Sequence, residues 1–157
     1  MKIEHIAFQV EDPVTVASWY VKTLGMTLKR AYPERPWGQF LSDDGDAVML
    51  EFYNNPKAPV PDYRTIDPLV LHVAFRVKDI AAERARLLAA GATAEGGITT
   101  ADNGDTLAMH RDPWGLAVQL VTRVEDMYQA YREMKPGSTR EVAVFRSLPD
   151  ALAWLGR

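Results

Sequence analysis

The same eight-residue pattern occurs twice in this chain, and this internal repeat constrains the fold more than any other feature. Residues 5–12 read HIAFQVED and residues 72–79 read HVAFRVKD, with five of the eight positions identical. In both copies apolar and polar residues alternate with a period of two, which predicts a β-strand with one face turned to a core. A repeat at this distance indicates two copies of one supersecondary unit.

Each repeated strand is followed by a segment with the pattern of a helix. Asp12 and Asp79 stand at the ends of the two strands, where an N-cap residue is favoured. Apolar residues at helical spacing follow over 14–24, residues that favour helices follow over 80–90, and a glycine comes directly after each segment. We therefore predict that the strand–helix unit is duplicated.

Three further strand-like segments, separated by turn residues, follow each predicted helix. They cover 27–32, 37–42 and 47–53 in the first half and 93–95, 106–111 and 116–121 in the second half. Each half therefore has the order βαβββ. The predicted fold class is α+β, with two tandem βαβββ modules that form a curved mixed-sheet cleft.

The chain is long enough for one domain, which we place at residues 1–122. Module one covers 1–53, a proline-rich linker covers 54–67, and module two covers 68–122. Residues 123–157 form a C-terminal extension with helical and short-strand patterns. We expect this extension to be a packing or dimer-contact arm, and the alternative is a lid over the site.

Composition excludes several classes of protein. The net charge is -3, so no basic excess indicates a nucleic-acid partner. No segment approaches the ~18 apolar residues of a membrane span, and we expect a cytoplasmic protein. The sequence contains no cysteine, so a metal ion would have to be held by histidine, carboxylate or amide groups.

The predicted final strand of each module carries one polar residue between apolar neighbours, Glu51 in the first module and Gln119 in the second. If the first and last strands of a module are close, Glu51 lies near His5, and Gln119 lies near His72. A pseudo-twofold packing of the modules would bring all four side chains around one point. Two imidazoles, a carboxylate and an amide oxygen suit a divalent metal such as Zn, Ni, Mn, Fe(II) or Co, with positions left for water or substrate.

Two further residues share the strand faces of these histidines. Gln9 and Arg76 are expected to line the same cavity, where Arg76 either binds an anionic group of a substrate or is a solvated edge residue. The histidines themselves have an alternative role as ordinary hydrogen-bonded strand residues. Gln119 has an alternative as a cavity-lining residue that does not touch a metal.

The order of these segments resembles the vicinal oxygen chelate superfamily, which includes glyoxalase I, fosfomycin-resistance enzymes, extradiol dioxygenases and bleomycin-resistance binding proteins. The resemblance covers about residues 1–122 and is carried by HIAFQVEDP, WYVKTLGM, LEFY, LHVAFRVKD and RDPWGLAVQLV. It implies that the four metal positions of the family fall on His5, Glu51, His72 and Gln119. It also implies a homodimer, because modules of this family often assemble so that a dimer completes the site.

The resemblance further implies a metal-dependent lyase or isomerase of the glyoxalase type, acting on a small substrate with vicinal oxygens. Glu51 is the expected catalytic base, because Gln119 stands where many members carry glutamate and an amide cannot accept a proton as a carboxylate does. The alternative is a metal-free small-molecule binding or sequestration protein of the bleomycin-resistance type. An Fe(II) extradiol dioxygenase ranks third, because the carboxylate lies in the first module.

Overall fold

The structure, a computed structural model, describes residues 2–124. The first module consists of β1 (His5–Gln9), α1 (Pro13–Leu24), β2 (Thr27–Ala31), β3 (Gln39–Ser42) and β4 (Met49–Tyr53). A 3-10 turn (Tyr63–Thr65) leads to the second module, which consists of β5 (Val73–Arg76), α2 (Ile80–Ala89), β6 (Thr93–Thr100), β7 (Thr106–Arg111) and β8 (Ala117–Thr122). The predicted α+β class with two tandem βαβββ modules is confirmed. The predictions for residues 125–157 lie outside the described residues.

Each module forms one four-stranded mixed sheet, with strand orders β1-β4-β3-β2 and β5-β8-β7-β6. The repeated strand pairs in parallel with the last strand of its own module, β1 with β4 and β5 with β8. A helix follows each repeated strand and packs on one face of its sheet. The opposite face of each sheet carries no helix of its module, and we call it the open face.

The helices begin and end where the sequence predicts. The Asp12 carboxylate accepts a hydrogen bond from the backbone N–H of Thr15 at 3.0 Å, and Asp79 caps α2 in the same way. Gly25 follows α1 with a φ of 69°, in the left-handed region that glycine adopts without steric cost. No helix of residues 2–124 is long and apolar enough to cross a membrane.

Strand β6 is longer than the segment predicted for it, which ended at Glu95. The pairing of β6 with β7 shifts register between Ala94 and Ile98, and Gly96 within this bulge has a φ of 94°. A glycine pair at 96–97 reads as a turn in the sequence. In the fold it forms a bulge instead, and the strand continues on the other side.

One hydrophobic core joins the two modules. It contains Phe8 and Phe52 from the helix-covered face of the first sheet, and Val118 from the second sheet. Val118 and Leu120 are two positions apart on β8, so they point to the same face of the sheet. Leu120 packs with Leu87 of α2, so this is the helix-covered face of the second sheet. Both sheets therefore turn their helix-covered faces towards the shared core, and their open faces point away from it.

Two aromatic residues of α1 tie the first module to the second. The indole N–H of Trp19 donates to the backbone oxygen of Ala90 at 2.8 Å, and the Trp19 ring meets the Trp114 ring edge to face. The hydroxyl of the buried Tyr20 donates to a carboxylate oxygen of Asp112 at 3.0 Å. These contacts fix how the two modules sit against each other within one chain.

The RDPWG segment is the turn between β7 and β8. One oxygen of Asp112 accepts hydrogen bonds from two backbone N–H groups of the turn, that of Leu116 at 2.9 Å among them. The guanidinium of Arg111 donates to the backbone oxygens of Tyr63 and Gly115. The segment therefore sets the start of β8 and also holds the connection between the modules.

Candidate functional site

The open face of the first sheet brings together two of the predicted metal-binding residues. His5 pairs with Met49, and Ala7 pairs with Glu51, so His5 and Glu51 lie on adjacent strands and on the same face. Nε2 of His5 is 3.4 Å from a carboxylate oxygen of Glu51. The predicted proximity of this histidine and this glutamate is therefore present in the structure.

Glu4 is a third member of this group that the sequence patterns did not indicate. Its carboxylate contacts Nδ1 of His5. This contact raises the pKa of the His5 imidazole above its ordinary value, and the nearby charge of Glu51 acts in the same direction. When Nδ1 carries its proton towards Glu4, the lone pair of the neutral ring is on Nε2, which faces Glu51. The residue directly before the repeat therefore orients His5.

The Glu51 carboxylate is partly withdrawn from solvent, with 17% of its side chain exposed. Burial raises the pKa of the Glu51 carboxyl, while the neighbouring His5 opposes the shift. A carboxylate with a raised pKa is a stronger base than an ordinary one. The environment of Glu51 therefore suits the predicted role in proton transfer.

Gly38 allows Glu51 to take this position. A Cβ atom at Gly38 would stand 3.1 Å from Oε1 of Glu51 and 3.2 Å from the ring of Tyr32. Almost any side chain at this position would push one of these groups away. No motif indicated Gly38, because its importance comes from side chains that approach it from two other positions of the sheet.

The candidate residues of the second module lie on the other sheet. Gln119 pairs with Ala74 as Glu51 pairs with Ala7, so Gln119 occupies the equivalent place on the second open face. His72 precedes β5, and its Nδ1 is 2.7 Å from the backbone oxygen of Pro68. A proton on Nδ1 therefore leaves Nε2 as the nitrogen with the lone pair, as at His5.

The described residues of one chain do not bring all the predicted ligands together. Within residues 2–124 no three or more His, Cys, Asp and Glu side chains are grouped so that they could hold a metal ion. His5 and Glu51 form a pair, while His72 and Gln119 belong to a sheet whose open face points elsewhere. The chemistry of the donors still fits a divalent metal. Both histidines turn Nδ1 to an acceptor and present Nε2, as metal-binding histidines commonly do.

Gln9 has a structural role on the first sheet. It is 7% exposed, and its side-chain amide donates to the backbone oxygens of Asn55 and Ala58. Its side-chain oxygen accepts from the backbone N–H of Asn55 at 3.0 Å. These bonds hold the loop that follows β4, and a contact of Gln9 with substrate stays a prediction.

Arg76 borders a cavity of about 360 Å³ between the modules. The other side of this cavity carries Asp43 and Asp44 from the turn before β4, and apolar side chains such as Leu50 and Phe75 line it. The pairing of Arg76 with Val121 places it on the open face of the second sheet. A role of Arg76 in binding an anionic substrate group stays a prediction.

Two tandem βαβββ modules, each a mixed sheet with a helix on one face, define the class of protein by its fold. A family model described as the Glyoxalase/Bleomycin resistance protein/Dioxygenase superfamily matches residues 2–120. The chain belongs to this superfamily, as the sequence resemblance implied. Comparison with curated proteins found no match.

Solved structures have the same fold. An antibiotic binding protein from a Streptomyces species shares 22% sequence identity, with 78% of this chain and 95% of that chain covered and a TM-score of 0.60. A glyoxalase family protein from Bacillus cereus shares 20% identity, with 80% of this chain and 94% of that chain covered and a TM-score of 0.62. A glyoxalase-related enzyme from Fulvimarina pelagi shares 17% identity, with 78% of this chain and 88% of that chain covered and a TM-score of 0.61. At these identities the likeness shows the fold alone.

Proposed function

We propose that the protein is a metal-dependent lyase or isomerase of the glyoxalase type, which acts on a small molecule with vicinal oxygens. The observation that carries the proposal is the orientation of the two histidines, each with Nδ1 at an acceptor and Nε2 presented. His5, Glu51, His72 and Gln119 would hold a divalent ion such as Zn, Ni, Mn or Fe. When bound, such an ion supplies Lewis acidity to the substrate oxygens.

Glu51 is the proposed catalytic base. Its carboxylate would take a proton from the substrate carbon next to an oxygen-bearing carbon and return it to the neighbouring position. Burial favours the protonated form of this carboxyl and so strengthens the base. Replacement of Glu51 by glutamine keeps an oxygen donor but removes the proton acceptor, and general-base contributions are about 100-fold or more.

The role of Glu51 can be tested by proton exchange. Wild-type protein loaded with each metal would be incubated in D₂O with the hemithioacetal of methylglyoxal and glutathione, and with simple α-hydroxyketones, and exchange would be followed by NMR. Glu51→Gln should lower the exchange rate about 100-fold while the bound metal is retained. Full turnover in this variant would exclude Glu51 as the base.

We further propose that two copies of the chain share each site. The open faces point away from the common core of one chain, so the His5–Glu51 pair needs the second sheet of a partner to meet His72 and Gln119. A twofold homodimer supplies this arrangement twice, because each copy contributes its first sheet to one site and its second sheet to the other.

The first experiment is elemental analysis of protein purified without an affinity-metal step. Near-stoichiometric metal is expected in the wild type and strong loss is expected in His5→Ala and in His72→Ala. His110→Leu is a matched control, because His110 is fully buried on the helix-covered face of the second sheet and should leave the metal content unchanged.

Mixing the two metal-free variants tests the shared site. In a mixed dimer of His5→Ala and His72→Ala, one site lacks both histidines and the other keeps both. Unfolding and refolding the variants together should therefore restore metal to about one quarter of the sites. No recovery, with mixed dimers present, would show that each site is formed within one chain.

A metal-free small-molecule binding protein of the bleomycin-resistance type is the second candidate. It is favoured by the finding that, of the four predicted metal positions, the described residues of one chain place only His5 and Glu51 together. Folded wild-type protein that contains no metal, and whose thermal stability is unchanged by Zn, Ni, Mn or anaerobic Fe(II), would support this candidate over the first. The cytoplasmic location inferred from the sequence stays a prediction.

A further inference from the structure

The open face of the first sheet carries a row of side chains that the proposed metal positions do not use. In the register of the sheet, Arg30 on β2 pairs with Phe40 on β3, and Phe40 pairs with Glu51 on β4. Directly paired residues of neighbouring strands point to the same face. Arg30 and Phe40 therefore extend the surface of Glu51 across the sheet, away from β1.

Aromatic contacts connect this row to the histidine. The ring of Phe40 lies between the His5 ring, at 5.5 Å and 87°, and the Tyr32 ring, at 6.1 Å and 71°. The guanidinium carbon of Arg30 stands 4.7 Å from the centre of the Tyr32 ring. We call Arg30, Tyr32 and Phe40 the aromatic ladder. At one end of the ladder Phe40 contacts His5 of the His5–Glu51 pair, and at the other end is the positively charged Arg30.

The ladder and the proposed base meet above Gly38. Oε1 of Glu51 and the rings of Tyr32 and Phe40 all lie within 3.5 Å of the place where a Cβ atom of Gly38 would stand. A molecule resting on the two rings would therefore touch the carboxylate as well. The three groups form one continuous surface.

This surface is accessible. Tyr32 is 40% exposed, and Phe40 is partly exposed. Solvent therefore reaches two aromatic side chains on this face. Two rings at a steep angle present an apolar floor and an apolar wall, against which a flat ring packs with more contact than a puckered one. The positive charge of Arg30 and the acidic group of Glu51 then distinguish the two ends of such a molecule.

We propose that the aromatic ladder determines specificity and selects a planar aromatic ligand. The ligand would carry an anionic group at Arg30 and a hydroxyl group directed to Glu51. The inference rests on the proposed function in one respect, that ligands bind on the open face of the first sheet. It does not depend on a metal ion.

The test is binding of 6-hydroxy-2-naphthoate, whose carboxylate and hydroxyl group lie at opposite ends of the ring system, to the full chain in the presence of EDTA, measured by calorimetry and by fluorescence of the probe. This probe is flat and carries a carboxylate and a hydroxyl group. 2-Naphthoate and decalin-2-carboxylate have the same two-ring size and charge and both lack the hydroxyl group, and the decalin acid, which is not flat, should bind about 10-fold more weakly than 2-naphthoate. Equal binding of the two acids would overturn the proposal.

Variants assign the effect to the ladder. Phe40→Leu and Tyr32→Leu should each weaken binding of the naphthoate about 10-fold. Arg30→Gln should weaken binding of the naphthoate but leave binding of 2-naphthol, which lacks the carboxylate, unchanged. Leu28→Ala is the matched control, because Leu28 is on the same strand but pairs with Leu41, whose side chain is in the core, and this variant should bind as the wild type does. Unaltered affinity in Phe40→Leu and Tyr32→Leu would overturn the proposal.

Metal analysis of the same preparations separates this inference from the proposed function. Naphthoate binding that depends on Phe40, in protein that never takes up metal, supports the ladder and contradicts the metal-dependent enzyme. Stoichiometric metal at His5 together with naphthoate binding that is indifferent to Phe40 contradicts the ladder and leaves the metal site standing.

Discussion

At the scale of single residues, the most constrained positions are those where another part of the chain approaches closely. Gly115 in the RDPWG turn has a φ of 101°, and a Cβ atom there would stand 2.5 Å from Cγ and 2.8 Å from the backbone nitrogen of Arg64. The sequence shows a turn glycine at this position. Only the fold shows that the connection between the modules passes directly over it.

Gly115→Ala should therefore be strongly destabilising. Strain at a positive φ costs about 1–3 kcal/mol, and the clash with the Arg64 backbone adds to it. Gly96→Ala is the matched control, because Gly96 has a φ of 94° but nothing within 4 Å of its Cβ position. Chemical unfolding should show a larger loss for Gly115→Ala than for Gly96→Ala. Equal losses would mean that the approach of Arg64 has no energetic consequence.

Tyr20→Phe tests the buried link between the modules. The variant removes the Tyr20 hydroxyl, which donates a hydrogen bond to the Asp112 carboxylate. Burial raises the pKa of the Asp112 carboxyl above its ordinary value, and the Tyr20 hydroxyl partly offsets this shift. The free energy of unfolding therefore falls as the pH rises and Asp112 ionises in the folded protein. This fall is larger in the variant, because the ionised carboxylate has lost a hydrogen-bond donor. The variant should lose about 1–3 kcal/mol at pH 7 and less near pH 4. A loss that is the same at both pH values would exclude a role of the Asp112 charge.

At the scale of secondary-structure elements, α2 covers an unusual buried group. His110 on β7 is 0% exposed, and neither ring nitrogen has a hydrogen-bond partner among the described residues. Burial lowers the pKa of His110 below its ordinary 6.5, and the charge of Arg84 on α2 acts in the same direction. The packing of α2 on the second sheet therefore requires the neutral imidazole.

Stability should consequently fall on acidification. Because the folded pKa of His110 is below 6.5, its contribution is complete above pH 6.5 and is lost as the pH falls towards the lowered value, with a slope of up to about 1.4 kcal/mol per pH unit. His110→Leu should reduce this loss between pH 7 and pH 5. Urea unfolding of the wild type and of this variant across the range measures the loss. An unchanged slope in His110→Leu would refute the assignment.

At the scale of the whole molecule, the two modules behave as one unit because they share a core. Val118 of the second sheet is buried together with Phe8 and Phe52 of the first, and Trp19 packs against both hydrophobic clusters. Neither module could separate from the other without exposing these side chains to water.

The full chain should therefore unfold in one transition. Far-UV circular dichroism, near-UV circular dichroism and tryptophan fluorescence should give the same midpoint. Trp19→Phe, which removes the bond to Ala90, should lower this midpoint for all three probes by a similar amount. Two separate transitions, with one of them unaffected in Trp19→Phe, would show that the modules fold independently.

The repeat, the alternation of the strands and the capping residues were sufficient to predict the two βαβββ modules, because these features depend on neighbours in the sequence. The same pattern placed Glu51 beside His5, since the first and last strands of such a module pair in parallel. Glu4, Gly38 and the aromatic ladder were not predicted, because their importance arises where side chains from different strands meet.

The sequence by itself therefore determined the fold class, the family and the candidate metal-binding residues of each module. Only the tertiary structure decided how the modules face each other. The physical reason is that Trp19, Tyr20 and Val118 bury the helix-covered faces of both sheets in one core. No periodicity within a module encodes this packing between modules, and it is this packing that turns the two open faces, with His5 on one and Gln119 on the other, away from each other within one chain.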